Sequence, residues 1–583
     1  MLAISPDLLA LRALQATRRL HLPTYIAIRY LVDSVFGRAE SKWIETTLPR
    51  KYPGRVVPRF QSVMRFKKLT KNGQPEYREF LVSSPSTALS EVLVLAHFGT
   101  STQFAKSSSV YSYLWPRKPY LSPFSFEHYV NGYKTRNNDV AGFLEKNPDH
   151  IVIVSDIEKF YPNIKKESVR ARFLAAIERS DIPNDIRDTA NHLLDHLFSL
   201  MPGDRGIPTG PELSHVIGDM ALAKVDEVLS AQYPGAYFRY VDDIVIAVPK
   251  DGVADAVELL RSLADAEGLT IHPDKSDQVL GREWLANGPH HMHKVTENSF
   301  ESLLFRIKVY LLRHPDAKES LAAALEKAGY TIPIERLATG AKADNFGLRL
   351  KQLLRRGWWV ALNAFRASER DIVTRAAEVR ADVLASLVAM LNGPVPDGPT
   401  SRRWHVQKLR YLTNRAFYLF PSAELEFLVG PLGELPEFAE TVALLQLLVS
   451  SDVYPILKMP GAALTAGCGV LRQAGRRLPK IEHLEEVTPA IVESLAIILT
   501  FDVCDVADDL IANLEPDARD FLYFCANRRQ TQRTRANFTY IDEIRSLQMS
   551  QVDEEKFSKI ENRFSEHEVV VLDALDIGGD YDY

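Results

Sequence analysis

Cysteine is scarce in this chain: Cys468, Cys504 and Cys525 are the only three in 583 residues, and they stand far apart. Such spacing excludes both a C-x-x-C zinc site and a disulfide framework, and it fits the reducing cytoplasm. Long uncharged apolar runs are missing too. No stretch nears the ~18 residues that a membrane-spanning helix needs. The opening segment "MLAISPDLLALRALQATRRLHLP" is interrupted by Pro6, Arg12 and Arg18, as in an amphipathic helix rather than a signal peptide. Nor is there an excess of one charge: 70 Lys and Arg against 75 Asp and Glu leave a net −5, a total small enough to hide a basic groove beside acidic segments. What is present is ordinary globular composition, 46% hydrophobic and 25% charged. The length calls for roughly two to four domains rather than one core.

Local patterns give the organisation. In "SVMRFKKLTKNGQPEYREFLVSSP" two extended stretches flank Asn72-Gly73, a strong hairpin signal, and the hairpin is basic through Arg65, Lys67, Lys68, Lys71 and Arg78. A helical "STALSEVLVLAHFG" follows, then a stretch rich in Ser, Tyr and Pro, Thr100 to about Asn138, that reads as irregular. "HIVIVSDI" is a continuous β-branched run, hence a buried strand, and "KESVRARFLAAIERS" after it is helical. In "ELSHVIGDMALAKVDEVLSAQ" Leu213, Ile217, Met220, Ala221, Val225 and Val228 share one helical face behind the break at Gly210-Pro211. "FRYVDDIVIAV" reads as a hairpin turning at Val241-Asp242-Asp243, followed by a helix closed by Gly268 and a final extended "LTIHPDKSDQV". Strand, helix, helix, hairpin, helix, strand is a split βαβ plan: an antiparallel sheet with helices on one face, in an α+β fold. Beyond about residue 300 the pattern turns to Leu- and Ala-rich helices, divided by the Pro- and Gly-rich "NGPVPDGPTS" at 392–401. The tail "LDALDIGGDYDY" is acidic.

Two adjacent carboxylates, Asp242 and Asp243, inside an apolar hairpin demand positive company, because an isolated buried charge costs several kcal/mol or more. Asp156 ends the buried strand and is delivered to the same edge if the two strands are neighbours. Three acids drawn together repel unless divalent cations sit among them. Two metals about 4 Å apart are the arrangement that stabilises both attacking and leaving oxygens in phosphoryl transfer. Magnesium, a hard cation suited to carboxylate and phosphate oxygens, is the expected counter-ion. The consecutive histidines of "HHMH" at 290–293 have no common ligand spacing and read as a surface loop. The basic runs at 402–415 and 528–535 read equally as tracks for nucleic-acid phosphates or as solvated helix faces.

"DIEKFYPNI" at 156–164, "RGIPTGPELS" at 205–214, "YVDD" at 240–243 and "GLTIHPDKS" at 268–276 stand in the order of motifs A to D of reverse transcriptases, which the chain resembles over about residues 60 to 280. "GPELS" in motif B and the long helical C-terminal half are similar to the bacterial abortive-infection, defence-associated group of AbiK-like reverse transcriptases. The resemblance implies a right-hand polymerase fold: fingers at 1–115, an RRM-like palm at 116–280, a helical thumb-like segment at 281–392, an all-α C-terminal domain at 402–565 suggestive of HEAT-like repeats, and the tail at 566–583.

It implies two Mg²⁺ ions, replaceable by Mn²⁺, held by Asp156, Asp242 and, as a third candidate, Asp243, with the Ile157 backbone carbonyl. Tyr161 would lie under the sugar as the gate against a 2′-hydroxyl, so that dNTPs are the substrate. Lys67 or Lys68 and Arg78 would hold the triphosphate. Gly206, Pro208, Thr209, Gly210 and Tyr240 would line the nascent pair, and Lys275 would be a proton donor to pyrophosphate. The family's chemistry is DNA synthesis by an RNA-directed DNA polymerase, in this group untemplated or protein-primed, acting in anti-phage defence. Tyr25, Tyr30, Tyr581 and Tyr583 are candidate primers. The implied partners are a DNA product, a noncoding RNA template, a partner protein or second polymerase, and further copies of the chain, with no membrane. A templated enzyme of a retron-like or mobile element, and a catalytically silent RNA-binding scaffold on the same fold, are the alternatives.

Overall fold

A computed structural model describes residues 57–526, apart from 71, 120, 121, 123, 128, 274, 275, 294–299, 333 and 335–365, together with 6–18, 20–25, 28, 540 and 543. α-Helices of seven residues or more are numbered in chain order. Helix α1 (Pro6–Arg18) precedes strands β1 (Phe60–Leu69) and β2 (Pro75–Ser83), which form an antiparallel hairpin. Its tip closes where Thr70 N–H donates to the Gln74 carbonyl at 2.8 Å, and Gly73 sits at φ +73°, the left-handed region that glycine enters without penalty. Helix α2 (Pro85–Phe98) starts on a Ser84 cap with Pro85 in its first turn, and is buried along most of its length.

Within the stretch read as irregular, the structure forms helix α3 (Tyr129–Lys146). The error has a cause: Gly132, Asn131, Asn137 and Asn138 are poor helix formers, and packing rather than propensity holds them. Gly132 is required by close approach, since a Cβ there would stand 1.9 Å from the Tyr111 carbonyl oxygen.

Strand β3 (Ile151–Ser155), helices α4 (Lys166–Arg179), α5 (Asn184–Ser199) and α6 (Glu212–Gln232), strands β4 (Tyr237–Tyr240) and β5 (Asp243–Val248), helix α7 (Val253–Ala266) and strand β6 (Asp277–Leu280) follow the expected order with one addition, α5, a third helix between β3 and β4 that the pattern had not marked. The sheet order is β4-β5-β3-β6, antiparallel throughout. The faces depart from expectation as well. Residues directly opposite across a strand pair share a face, so Tyr237 and Arg239 lie on one side, while Phe238, Tyr240, Asp243 and Val245 lie on the other. The first side packs on α6, through Asp226 bonded to Tyr237 and Arg239. The second side is also covered: Tyr133 of α3 meets Tyr240 edge-on at 5.5 Å.

After helix α8 (Gly281–Asn287) come α9 (Phe300–Arg313), α10 (Lys318–Lys327), α11 (Glu369–Leu391), α12 (Pro399–Leu419), α13 (Ala439–Ser450), α14 (Ala462–Gln473), α15 (Pro489–Phe501) and α16 (Pro516–Cys525). From α12 onward these are 10 to 21 residues long with unequal connections of 11 to 19 residues between them, which sets no repeat period among the described residues. One apolar core takes in α9 through α16 and also Val63, Phe80 and Val82 of the hairpin; a second surrounds the four-stranded sheet. The hairpin's edge is tied in, with Phe66 N–H donating to the Pro460 carbonyl at 2.9 Å. Helix α12 joins the two cores: Trp404, near its start, belongs to the sheet's core and meets Trp284 edge-on at 5.1 Å. No described helix is long and apolar enough to cross a membrane.

Candidate active site

The β3–β5 register pairs Ser155 with Ile244, so one step further Asp156 stands across from Asp243 on the same face, at about 5 Å between Cα atoms for such a pair. Both are buried, at 7% and 3% exposure. Asp242 occupies the turn between β4 and β5, half-buried, with its Oδ1 enclosed. Tyr240 pairs with Asp243, leaving Val241 and Asp242 as a two-residue turn. The turn is therefore one residue tighter than the pattern suggested, with Asp243 already in the strand.

That turn is strained. Val241 sits at φ +54°, costly for a β-branched residue by about 1–3 kcal/mol. A hydrogen-bonded clamp holds it. The Ser112 hydroxyl accepts from Val241 N–H at 2.9 Å, and the Arg239 guanidinium donates to the Val241 carbonyl at 2.7 Å. Arg239 in turn is gripped by both oxygens of Asp226, at 2.7 and 2.6 Å, and by Asp219 at 3.2 Å. Burial opposes the guanidinium charge, yet the two carboxylates outweigh it and raise the pKa above the usual arginine value. Lys106 completes the cluster on Asp219 and donates to the Ser112 carbonyl at 3.0 Å. None of these supporting residues was singled out from the sequence. The signal was present in part: an arginine inside an apolar strand, and two acids seven residues apart, hence on one helical face.

Asp243 has counter-charge from the chain itself. Arg403, in the first turns of α12, makes a forked pair with its two oxygens at 3.1 and 3.0 Å, and Arg136 of α3 lies 3.7 Å away. Arg402 and Arg410 of the same basic run also pair within the chain, Arg402 with the Glu437 side chain at 2.7 Å and Arg410 with the Glu437 backbone carbonyl at 2.6 Å. This run is thus committed to internal pairs at these three positions.

For a divalent cation the fitting donors are Asp156, Asp242 and the Ile157 carbonyl. Ile157 forms an antiparallel bridge with Ile271 in which the flanking residues make the bonds, Glu158 N–H to Thr270 O at 2.8 Å and His272 N–H to Asp156 O at 2.7 Å. In that pattern the carbonyl of Ile157 points to the other edge, the side of the hairpin turn. Among the described residues no three His, Cys, Asp or Glu side chains are gathered as a ready metal nest. Two carboxylates and a carbonyl still suit magnesium, which keeps several water ligands and takes phosphate oxygens for the rest.

Around this centre, Tyr161 is buried, and its backbone carbonyl accepts from Ile207 N–H at 3.1 Å, while Gly206 N–H donates to the Ile164 carbonyl at 2.9 Å. The segment Gly206, Ile207, Pro208 therefore lies along Tyr161–Ile164. Thr209 accepts from Leu81 N–H at 2.8 Å, joining this loop to the hairpin. Gly210, at φ +120°, leaves no room for a side chain: a Cβ would stand 2.2 Å from the Leu81 carbonyl oxygen.

The proposed triphosphate residues are further away. Lys67 and Lys68 both pair with Glu76, at 2.6 and 3.6 Å, and Glu76 lies five residues beyond Leu81, about 17 Å along the strand. Arg78 stands across from Arg65. Lys275 lies outside the described residues, as do Tyr30, Tyr581 and Tyr583. Tyr25 is buried in the small core that α1 shares with α2.

No known protein family matches the chain, and no curated protein does. Among solved structures it is similar to telomerase from Candida albicans in complex with a TWJ fragment of telomeric RNA, at 11% identity over 66% of this chain and 66% of that one, with a TM-score of 0.28. It is also similar to apo telomerase from Candida tropicalis, at 12% identity over 62% of this chain and 72% of that one, with a TM-score of 0.25. Scores this low carry no argument about chemistry.

Proposed function

We propose that the chain is a metal-dependent nucleotidyltransferase of reverse-transcriptase type that joins deoxynucleotides into DNA, serving bacterial anti-phage defence in the manner of the AbiK-like group. The observation that supports it is the register: Asp156 and the Asp242-Asp243 turn, 86 residues apart in the chain at their first members, come from adjacent central strands of one antiparallel sheet. Asp156, Asp242 and the Ile157 carbonyl would hold the metal pair, which would supply charge neutralisation at the attacking hydroxyl and the departing pyrophosphate. The clamp on Val241 fixes where Asp242 stands. Arg403 and Arg136 pair with Asp243 and neutralise it, which leaves the cation to Asp156 and Asp242. Tyr161 borders the sugar, and the loop Gly206–Gly210 the base.

The covered sheet face favours untemplated or protein-primed synthesis over templated copying. Tyr240 and Asp243 lie beneath α3 and the start of α12, where a long primer–template duplex would otherwise rest. The pairing of Asp243 with two arginines also gives the silent-scaffold reading some weight. Incubating the purified chain with Mg²⁺ and labelled dNTPs, before and after nuclease treatment, separates these. Nuclease-resistant label attached to the protein, abolished by Asp156→Asn and by Asp242→Asn, is the expected result. Label lost after RNase points to a copied template, and no label under any RNA partner leaves the scaffold.

A further inference from the structure

Tyr161 is held at its tip. Its hydroxyl meets Nδ1 of His215 at 3.0 Å, with the two rings nearly perpendicular at 78°. His215 belongs to the first turn of α6 and cannot swing away: its ring stacks on Tyr113 at 3.8 Å and 12°, and Phe126 meets it edge-on at 6.2 Å. Tyr113 itself is pinned at φ +47°. On the other side, Gly218 lets α6 come close, because a Cβ there would stand 3.4 Å from the Tyr161 ring and 3.3 Å from that of Phe160.

The proton arrangement follows. Burial drives the His215 pKa down to about 3, with Lys106 adding to the effect, so the imidazole is neutral. Burial also raises the Tyr161 pKa, the neighbouring Tyr113 hydroxyl opposes the rise, and Asp242 adds to it, which sets the phenol within the field of the catalytic turn. A neutral imidazole has one donor and one acceptor nitrogen. With the phenol protonated, Tyr161 donates, Nδ1 accepts, and Nε2 carries the hydrogen.

We propose that His215 is a specificity-determining positioning residue: by accepting the Tyr161 hydroxyl it fixes the ring as a stiff wall against a ribose 2′-hydroxyl. The proposal rests on the polymerase reading and on Tyr161 bordering the sugar. A wall selects only as well as it resists displacement, and a tyrosine free at its tip yields by rotation. Losing one neutral buried hydrogen bond should therefore relax sugar discrimination about three- to tenfold.

The test compares deoxy- with ribonucleotide incorporation by the full chain and by His215→Ala, His215→Asn, Tyr161→Phe and Tyr161→Ala, each checked for folding by circular dichroism. His215→Ala and Tyr161→Phe should each relax the ratio by that factor, and the double variant should be no worse than either. His215→Asn, whose amide oxygen replaces Nδ1 as acceptor, should recover most of the loss, and Tyr161→Ala should lose more than any. Tyr161→Phe decides the matter if His215→Ala does not fold, since it removes only the hydroxyl. A relaxed ratio in Tyr161→Ala with unchanged ratios in His215→Ala and Tyr161→Phe overturns the inference and leaves the polymerase reading standing. An unchanged ratio in Tyr161→Ala removes the gate and the inference together. An unsubstituted chain that incorporates neither sugar overturns the proposed function as well.

Discussion

Replacing Arg403 with alanine removes the forked partner of Asp243 while leaving Arg136 in place. Loss of one member of a buried pair costs about 3–5 kcal/mol. Here the Arg403 side chain is 31% exposed against 5% for Asp243, and a second guanidinium stays at 3.7 Å. Discounting for that exposure and that remaining partner brings the cost to about 2 kcal/mol. The expected result is a fall in kcat of about tenfold or more with little change in KM, since the carboxylate edge is disturbed rather than nucleotide contact. Arg403→Lys should recover less than half, because an ammonium cannot reproduce the fork. The decisive measurement is a cycle with Asp243→Asn, read by urea denaturation and by single-turnover incorporation. A coupling of about 2 kcal/mol is expected between residues in direct contact. Additive effects, with Arg403→Ala equally damaging when Asp243 is already asparagine, would refute the reasoning.

Asp226→Asn should destabilise the sheet unit by about 3–5 kcal/mol, since it leaves the buried Arg239 short of its main partner; a urea midpoint equal to the unsubstituted chain's would contradict the clamp. Gly210→Ala should cut incorporation severely through its collision with Leu81, whereas Gly203→Ala, also at positive φ but with nothing within 4 Å, should cost only about 1 kcal/mol in stability and spare activity. Glu91 is fully buried, accepts from Ser83 Oγ and from Leu213 N–H at 3.2 Å, and has its pKa raised by burial to about 7. A carboxyl raised in the folded state stays protonated there while the unfolded chain ionises, so its contribution is intact below about pH 4.5 and is lost as pH climbs through 7. Glu91→Gln should therefore flatten the stability decline between pH 5 and 8 by up to about 3 kcal/mol; equal slopes in the two proteins would count against it.

The elements legible in the sequence were those set by local pattern. Asn72-Gly73 announced one hairpin, "HIVIVSD" a buried central strand, and Leu213, Ile217, Ala221 and Val225 the core face of α6, all of which are buried. Helix α3 was missed because its asparagines and glycine belie it, and with it went the cover over the second sheet face. Arg403 was visible only as one of several basic residues, since a guanidinium facing water and one facing a carboxylate look alike in a sequence. His215 was likewise read past: a histidine on a helix tells nothing of the tyrosine it meets until Tyr113 is stacked on it. Tyr161 was singled out through the motif-A resemblance, but its tether was not.

Arg403 reaches Asp243 across 160 residues of chain, and this separation orders events during synthesis of the protein. On a ribosome adding about 5–20 residues each second, the sheet and its aspartates emerge many seconds before α12. Through that interval the acidic edge lacks the Arg403 fork, so it should complete its structure late, when the distant helix arrives and the long loop closes. A chain ended within the Pro- and Gly-rich segment before α12 would remain in that unfinished condition.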